Sequence, residues 1–173
     1  KKKKKTTKNH KKIMRQTGKY LPECKKKKKN NPNFVELCLN NQLATEITLQ
    51  AINRFNLDAA IIFSDILMLP YGLNQKVEFK KNFGPLLGEL NLDKISKLDE
   101  IDFVKKIYPV YKAINLVNQK MVEKKKNTIG FVGAPWTLMV YMINRQSPKL
   151  KLKKDFFKDN FLINRILIIL EKF

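Results

Sequence analysis

Histidine and cysteine are scarce in this chain, and their scarcity excludes several kinds of site. The 173 residues include one histidine and two cysteines. Cys24 and Cys38 do not form a CxxC pair, and the one histidine cannot complete a zinc-binding set with them. So few cysteines favour a reducing, cytoplasmic-type compartment. We interpret both cysteines as structural and His10, which lies in a lysine-rich tail, as incidental.

Long apolar runs are absent as well. No run reaches the roughly 20 apolar residues that a membrane-spanning helix needs. The N-terminus lacks the apolar core of a signal peptide, and its lysine-only bias differs from a Ser- and Arg-rich transit peptide. The chain begins without Met and ends at Phe173, inside an apolar helical pattern that no residue caps. We therefore expect a cytoplasmic protein without membrane partners, and we interpret the sequence as a piece of a longer protein.

Acidic residues are outnumbered by basic ones, and the basic excess is concentrated near the N-terminus. The chain has 36 Lys and Arg against 15 Asp and Glu, a net charge of +21. Residues 1–29 hold 15 of these bases and one acid, which leaves 21 bases against 14 acids elsewhere. Lysine runs stay solvated and bind polyanions without specificity. Without interleaved aromatics or an Arg-rich helix, specific nucleic-acid binding is not expected. Residues 1–12 are predicted to form a disordered tail.

Apolar spacing predicts alternating strands and helices. The predicted strands are a strand end at 13–14 and buried strands over 59–63 and 128–132, with an extended piece at 76–79 and a loop at 84–85. The predicted helices span 33–55, 109–124 with Pro109 in its first turn, 135–143 with Pro135 at its start, 149–158 and 161–173. Repeated βα units predict an α/β fold with a parallel sheet. A (β/α) barrel needs about eight strands and about 250 residues, so this chain can supply at most about half of one.

Asp65 is the most informative polar residue, because it follows the apolar stretch 59–63 where a buried parallel strand leaves the core. A carboxylate there must bind a cationic or N–H-rich group or bear a desolvation cost. Ligands of α/β folds bind at that end of the strands. The alternative, an Asp that caps the next helical turn, is about equally supported by this stretch alone.

Two further polar clusters follow predicted strands, one at Arg15, Gln16 and Lys19 and one at Tyr141. In a (β/α) barrel both would face the same rim as Asp65. Taken alone, Arg15 would more often be a surface charge, and Tyr141 a core residue with a satisfied hydroxyl. Three other residues are interpreted as core: Trp136, Phe63 and Ile129.

Three motifs in this chain resemble the uroporphyrinogen decarboxylase family. They are MRQTGKYLPE (14–23), LDAAIIFSDIL (57–67) and IGFVGAPWTLMVYM (129–142), with TLQAINRF (48–55) between the first two. Their order and approximate spacing are those of the family. The resemblance implies that residues 13–173 form the N-terminal part of a (β/α)8 TIM barrel. It also implies the conversion of uroporphyrinogen III to coproporphyrinogen III and four CO2 in porphyrin and heme biosynthesis, by homodimers that use no metal and no organic cofactor.

The resemblance assigns a role to five residues. Arg15 matches the family's active-site arginine, Gln16 is its neighbour, and Lys19 stands where a second arginine is usual. Asp65 matches the catalytic aspartate of FSDIL, and Tyr141 matches the active-site tyrosine. Asp65 would accept pyrrole N–H bonds and stabilise a protonated pyrrole carbon. Arg15 and Lys19 would bind substrate carboxylates, while Tyr141 would bond a carboxylate or orient Asp65.

The sequence also departs from the family pattern. Lys19 keeps the charge of an arginine but loses its planar fork. The family's second half, with its active-site serine and late histidine, is absent, so we expect this polypeptide alone to be inactive.

Two alternatives remain. One is a corrinoid-linked methyltransferase of the same superfamily, which would need metal ligands in the missing half. The other is a non-enzymatic polycation that binds nucleic acid through its lysine runs.

Overall fold

The computed structural model describes residues 21–149, 152 and 155–173. Its α-helices are α1 Pro22–Asn30, α2 Phe34–Leu39, α3 Asn41–Arg54, α4 Met68–Gly72, α5 Leu92–Ser96, α6 Glu100–Glu123, α7 Pro135–Asn144 and α8 Asn160–Lys172. Its strands are β1 Ala59–Ile61, β2 Val77–Lys80, β3 Gly84–Leu87 and β4 Asn127–Ile129. A 3-10 helix spans Asp155–Lys158, within the helix predicted over 149–158. The predicted tail 1–12 and strand end 13–14 lie outside the described residues.

Strands β1 and β4 are parallel neighbours, with Ala59 opposite Asn127 and Ile61 opposite Ile129. The chain between them passes through three helices and a hairpin. Parallel strands connected through helices confirm the predicted α/β fold with parallel strand pairing. The half-barrel stays a prediction.

Strands β2 and β3 form an antiparallel hairpin, so the loop predicted at 84–85 is wrong. Gly84 adopts a φ of 81°, which a glycine reaches without steric cost, and it pairs with Lys80 at the closed end of the hairpin. Pro85 lies opposite Phe79. The extended piece predicted at 76–79 is confirmed as β2.

Two predicted helices have different boundaries. The helix predicted over 33–55 is divided at Asn40, whose side chain accepts a hydrogen bond from the Leu43 N–H at 3.0 Å and so starts α3. The helix predicted over 109–124 begins earlier, after its N-cap Asp99, so Pro109 lies within α6 and not in its first turn. The proline costs the helix one backbone hydrogen bond there.

The buried strand predicted over 128–132 is also wrong in its extent and burial. Strand β4 ends at Ile129, and the Phe131 and Val132 side chains are 48% and 74% exposed. Trp136, predicted to be core, is 50% exposed and stacks on Phe157 with ring centroids 5.9 Å apart. Among the described residues, β4 pairs only with β1, so its other edge has no strand partner there.

The core lies around the parallel strands and helices α3 and α6, and it includes the buried residues of α7 and α8, which pack against each other. Phe63 is buried as predicted. Cys24 and Cys38 are buried and unbridged, which confirms their interpretation as structural residues. In the part of the chain that the structure describes, no helix has both the length and the apolarity required to cross a bilayer.

Candidate active site at the ends of the parallel strands

Asp65 follows β1 at the point where the chain leaves the core. Ile62 and Phe63 are each 3% exposed, whereas Ser64 and Asp65 are half-buried. The Ile62 N–H still bonds to the Ile129 carbonyl of the neighbouring strand at 3.0 Å. The sheet therefore holds the backbone up to three residues before Asp65.

The Asp65 carboxylate caps a helical turn and keeps most of its acceptor capacity. Its Oδ1 accepts a hydrogen bond from the Leu67 N–H at 2.9 Å, so the capping alternative is observed. This bond takes one of about four acceptor positions on a carboxylate. Burial raises the pKa of Asp65, and the Leu67 hydrogen bond opposes that rise. A partly desolvated carboxylate of this kind favours a ligand that brings N–H donors.

Tyr141 lies on α7, which starts at Pro135 after β4. Its side chain is half-buried and packs against the core. The loop before α7 contacts the Asp65 segment, because a Cβ placed on Gly133 would lie 3.1 Å from the Cβ of Ile66. The two strand-end segments therefore meet. Within the described residues, no hydrogen bond joins the Tyr141 hydroxyl to Asp65.

The other residues of the predicted site, Arg15, Gln16 and Lys19, lie outside the described residues. Their positions relative to Asp65 stay a prediction.

Lys28 is a cation of this region that the sequence analysis did not distinguish from its neighbours. Its Nζ lies 5.3 Å from the centroid of the Phe63 ring. Burial raises the pKa of Cys38 to about 12, with the negative charge of Asp65 adding to the rise and the positive charge of Lys28 opposing it. Lys28 and Asp65 thus both lie within electrostatic reach of one thiol. Helical spacing could have distinguished Lys28 from its neighbours. Residues four apart share a helix face, and buried Cys24 lies four residues before Lys28 on α1.

Comparison with known proteins gives one consistent result. Residues 3–173 match the family model described as Uroporphyrinogen decarboxylase (URO-D). Uroporphyrinogen decarboxylase of Rickettsia canadensis is 42% identical over 157 residues, which are 90% of this chain and 46% of that protein. The proteins of the same name from Agrobacterium fabrum and Brucella ovis are each 42% identical over 131 residues, covering 76% of this chain and 38% of theirs. The chain spans less than half the length of these curated relatives.

Proposed function

Since this chain belongs to the uroporphyrinogen decarboxylase family, we propose that it supplies part of an active site that converts uroporphyrinogen III to coproporphyrinogen III and CO2. The observation that carries the proposal is the environment of Asp65. Its carboxylate lies at the end of a parallel strand, is half-buried, and accepts a hydrogen bond from Leu67 within the described residues. The family resemblance assigns the catalytic role to this same residue.

The chemistry of the substrate fits a desolvated carboxylate. Uroporphyrinogen has four inward-facing pyrrole N–H groups, which can donate to the free acceptor positions of Asp65. Protonation of a pyrrole carbon creates a positive charge that serves as the electron sink when CO2 leaves. A fixed anion beside that charge stabilises it, and comparable preorganised groups contribute about 2.7–4 kcal/mol to transition-state stabilisation.

The eight carboxylates of the substrate require cations around the same cavity. We assign this role to Arg15 and Lys19, with Gln16 beside them, on the strength of the MRQTGKYLPE motif. Lys28 joins them because its ammonium group lies over Phe63, two residues before Asp65. Tyr141 donates a hydrogen bond to a substrate carboxylate or orients Asp65. The full-length protein is proposed to be a homodimer.

Part of the lysine run is engaged within the fold, which disfavours the polycation alternative. Lys27 forms an ion pair with Glu46 at 2.9 Å, and Lys28 lies over Phe63. The names of the matched relatives likewise favour a decarboxylase over a corrinoid-linked methyltransferase. Because the relatives are about twice as long, we propose that this polypeptide alone is inactive.

A chimaeric protein tests the proposal. The matching segment of the Rickettsia canadensis relative is replaced by this chain, and the formation of coproporphyrinogen from uroporphyrinogen is measured. We expect activity from the chimaera, loss of that activity in its Asp65→Ala variant, and no activity from this chain alone.

The matched control is Asp159→Ala, because Asp159 also accepts one backbone N–H, from Leu162 at 2.9 Å, but lies on the surface at the start of α8. A folded chimaera without activity, or equal losses from the two aspartate variants, would contradict the proposal.

A further inference from the structure

The buried Gln75 connects three segments around the candidate site. Its side chain is 2% exposed, and its Nε2 donates to the carbonyl of Met142 at 2.9 Å and to that of Gly88 at 3.1 Å. Its own backbone N–H bonds to the Pro70 carbonyl at 3.0 Å. Pro70 belongs to α4, which begins three residues after Asp65. Gln75 therefore ties α4, through its backbone N–H, to α7 and to the residue after the hairpin, through its carboxamide.

The bond to Met142 satisfies a carbonyl that helix α7 cannot satisfy by itself. Helix α7 ends at Asn144, and the last four carbonyls of an α-helix have no partner within it. The Tyr141 carbonyl accepts from the Arg145 N–H at 2.8 Å, and the next carbonyl, that of Met142, accepts from Gln75. The donor thus acts on the residue directly after the proposed site tyrosine.

The hairpin and the end of α7 are joined by further hydrogen bonds next to this one. The Leu87 N–H donates to the Arg145 carbonyl at 2.8 Å, and the Arg145 Nε donates to the Leu87 carbonyl at 3.3 Å. Gln75 bonds to Gly88, the residue after Leu87. Hairpin, α7 and Gln75 therefore form one hydrogen-bonded unit.

We propose that Gln75 is a positioning residue that sets the placement of α7, and with it Tyr141, relative to Asp65. The inference rests on the proposed function, in which Tyr141 and Asp65 serve one site. Replacing the amide with an apolar group of the same length would leave the buried carbonyl of Met142 and the partly buried carbonyl of Gly88 without their donor. Since a buried, unpaired carbonyl is costly, α7 would shift toward other donors or water.

Stability alone would not reveal this role. The Oε1 of Gln75 has no partner among the described residues, so an apolar replacement also removes a cost. The test must therefore report on Tyr141 itself. We suggest labelling this chain with 3-fluorotyrosine and recording 19F spectra, with the signal of Tyr141 identified among the five tyrosines by Tyr141→Phe.

We expect Gln75→Met to shift or broaden the Tyr141 resonance of the folded protein. The matched control is Gln50→Met, because Gln50 on α3 also has an Oε1 without a described partner and the exchange of side chains is the same. The control should leave the Tyr141 resonance unchanged. An unchanged resonance in a folded Gln75→Met variant would overturn the proposal. If that variant does not fold, hydrogen exchange of the Gln75 side-chain amide in the unsubstituted chain tests the proposal instead. Exchange as fast as in free glutamine would overturn it.

A kinetic measurement separates this inference from the proposed function. In the chimaera described above, Gln75→Met should lower kcat by about tenfold to a hundredfold through misplacement of Tyr141. Gln50→Met should leave kcat unchanged. If the chimaera is inactive but the Tyr141 resonance responds to Gln75→Met, the proposed function fails and the positioning stands. If the chimaera is active and neither the resonance nor kcat responds, the positioning fails and the function stands.

Discussion

The hydroxyl of Thr48 accepts a hydrogen bond from the Phe63 N–H at 2.8 Å and donates one to the Ala44 carbonyl at 2.7 Å. Thr48 is 1% exposed and Phe63 is 3% exposed, so both bonds are shielded from water. The pair joins α3 to the chain immediately after β1, two residues before Asp65. The position of the proposed catalytic carboxylate thus depends on a side chain of α3, the helix that precedes β1.

Replacing Thr48 by Val should destabilise the fold by about 1–3 kcal/mol, because the substitution leaves the buried Phe63 N–H without an acceptor. Urea unfolding of this chain measures the change as a lower midpoint. Thr48→Ser keeps the hydroxyl and should lose less stability than Thr48→Val. Equal losses from the two variants would show that the hydrogen bond contributes no more to stability than the methyl group does.

Replacing Gly133 by Ala should cost about 1–3 kcal/mol through overpacking. The added Cβ would lie 2.7 Å from Cδ2 of Leu138 and 3.1 Å from Cβ of Ile66. Gly130 is the matched control, because a Cβ there meets nothing within 4 Å. Thermal unfolding should show a lower midpoint for Gly133→Ala only. A similar decrease for Gly130→Ala would argue against close contact between the two strand-end segments.

The sequence alone predicted the family, the parallel strand pair and Asp65 at a strand end. Each of these predictions depends on residues that are close together in the sequence. The family follows from three long motifs, and the match over residues 3–173 confirms it. The strand at 59–63 is a short apolar run followed by polar residues, and the structure places β1 there. Such a run predicts burial well when neighbouring elements cover both faces, as they do around Phe63.

The failures concern features that depend on the neighbours of an element. The segment 128–132 contains three large apolar residues, but β4 ends at Ile129 and Val132 beyond it is 74% exposed. Among the described residues, β4 pairs with no strand other than β1. Gly84 and Pro85 are typical of loops, yet pairing with β2 makes them part of a strand. Lys28 is identical to four adjacent lysines, and only its position on α1 directs it toward Phe63.

The thiol of Cys38 should be nearly inert toward thiolate-specific reagents in the folded chain. Its pKa is raised to about 12, chiefly by burial, so on the order of one thiol in ten thousand is ionised at about pH 8. Burial also raises the pKa of Cys24. Titration with a disulfide reagent should show two reactive thiols in concentrated urea and very slow reaction without it. Rapid reaction of the folded chain that Cys38→Ser abolishes would contradict the burial of this residue.

Asp65→Asn should increase stability near neutral pH while removing the activity of the chimaera. Burial raises the pKa of Asp65 in the folded chain above its ordinary value of 3.8. Between these two values the folded state binds more protons than the unfolded state, so this group's contribution to stability falls as the pH rises through that window. Above the window the charged carboxylate lowers stability by a constant amount. The asparagine avoids this cost and keeps an oxygen that can accept the Leu67 N–H.

The pH dependence distinguishes this effect from a general gain in stability. The stability difference between Asp65→Asn and the unsubstituted chain should be largest at neutral pH and should shrink as the pH falls below 3.8, where the carboxyl group is protonated in both states. Asp159→Asn is the matched control, because its side chain also accepts a backbone N–H at 2.9 Å but is exposed to solvent. Urea unfolding at a series of pH values measures both differences. A gain for Asp65→Asn that does not vary with pH would show that the carboxylate bears no desolvation cost, which removes the physical reason for a bound N–H donor at this position.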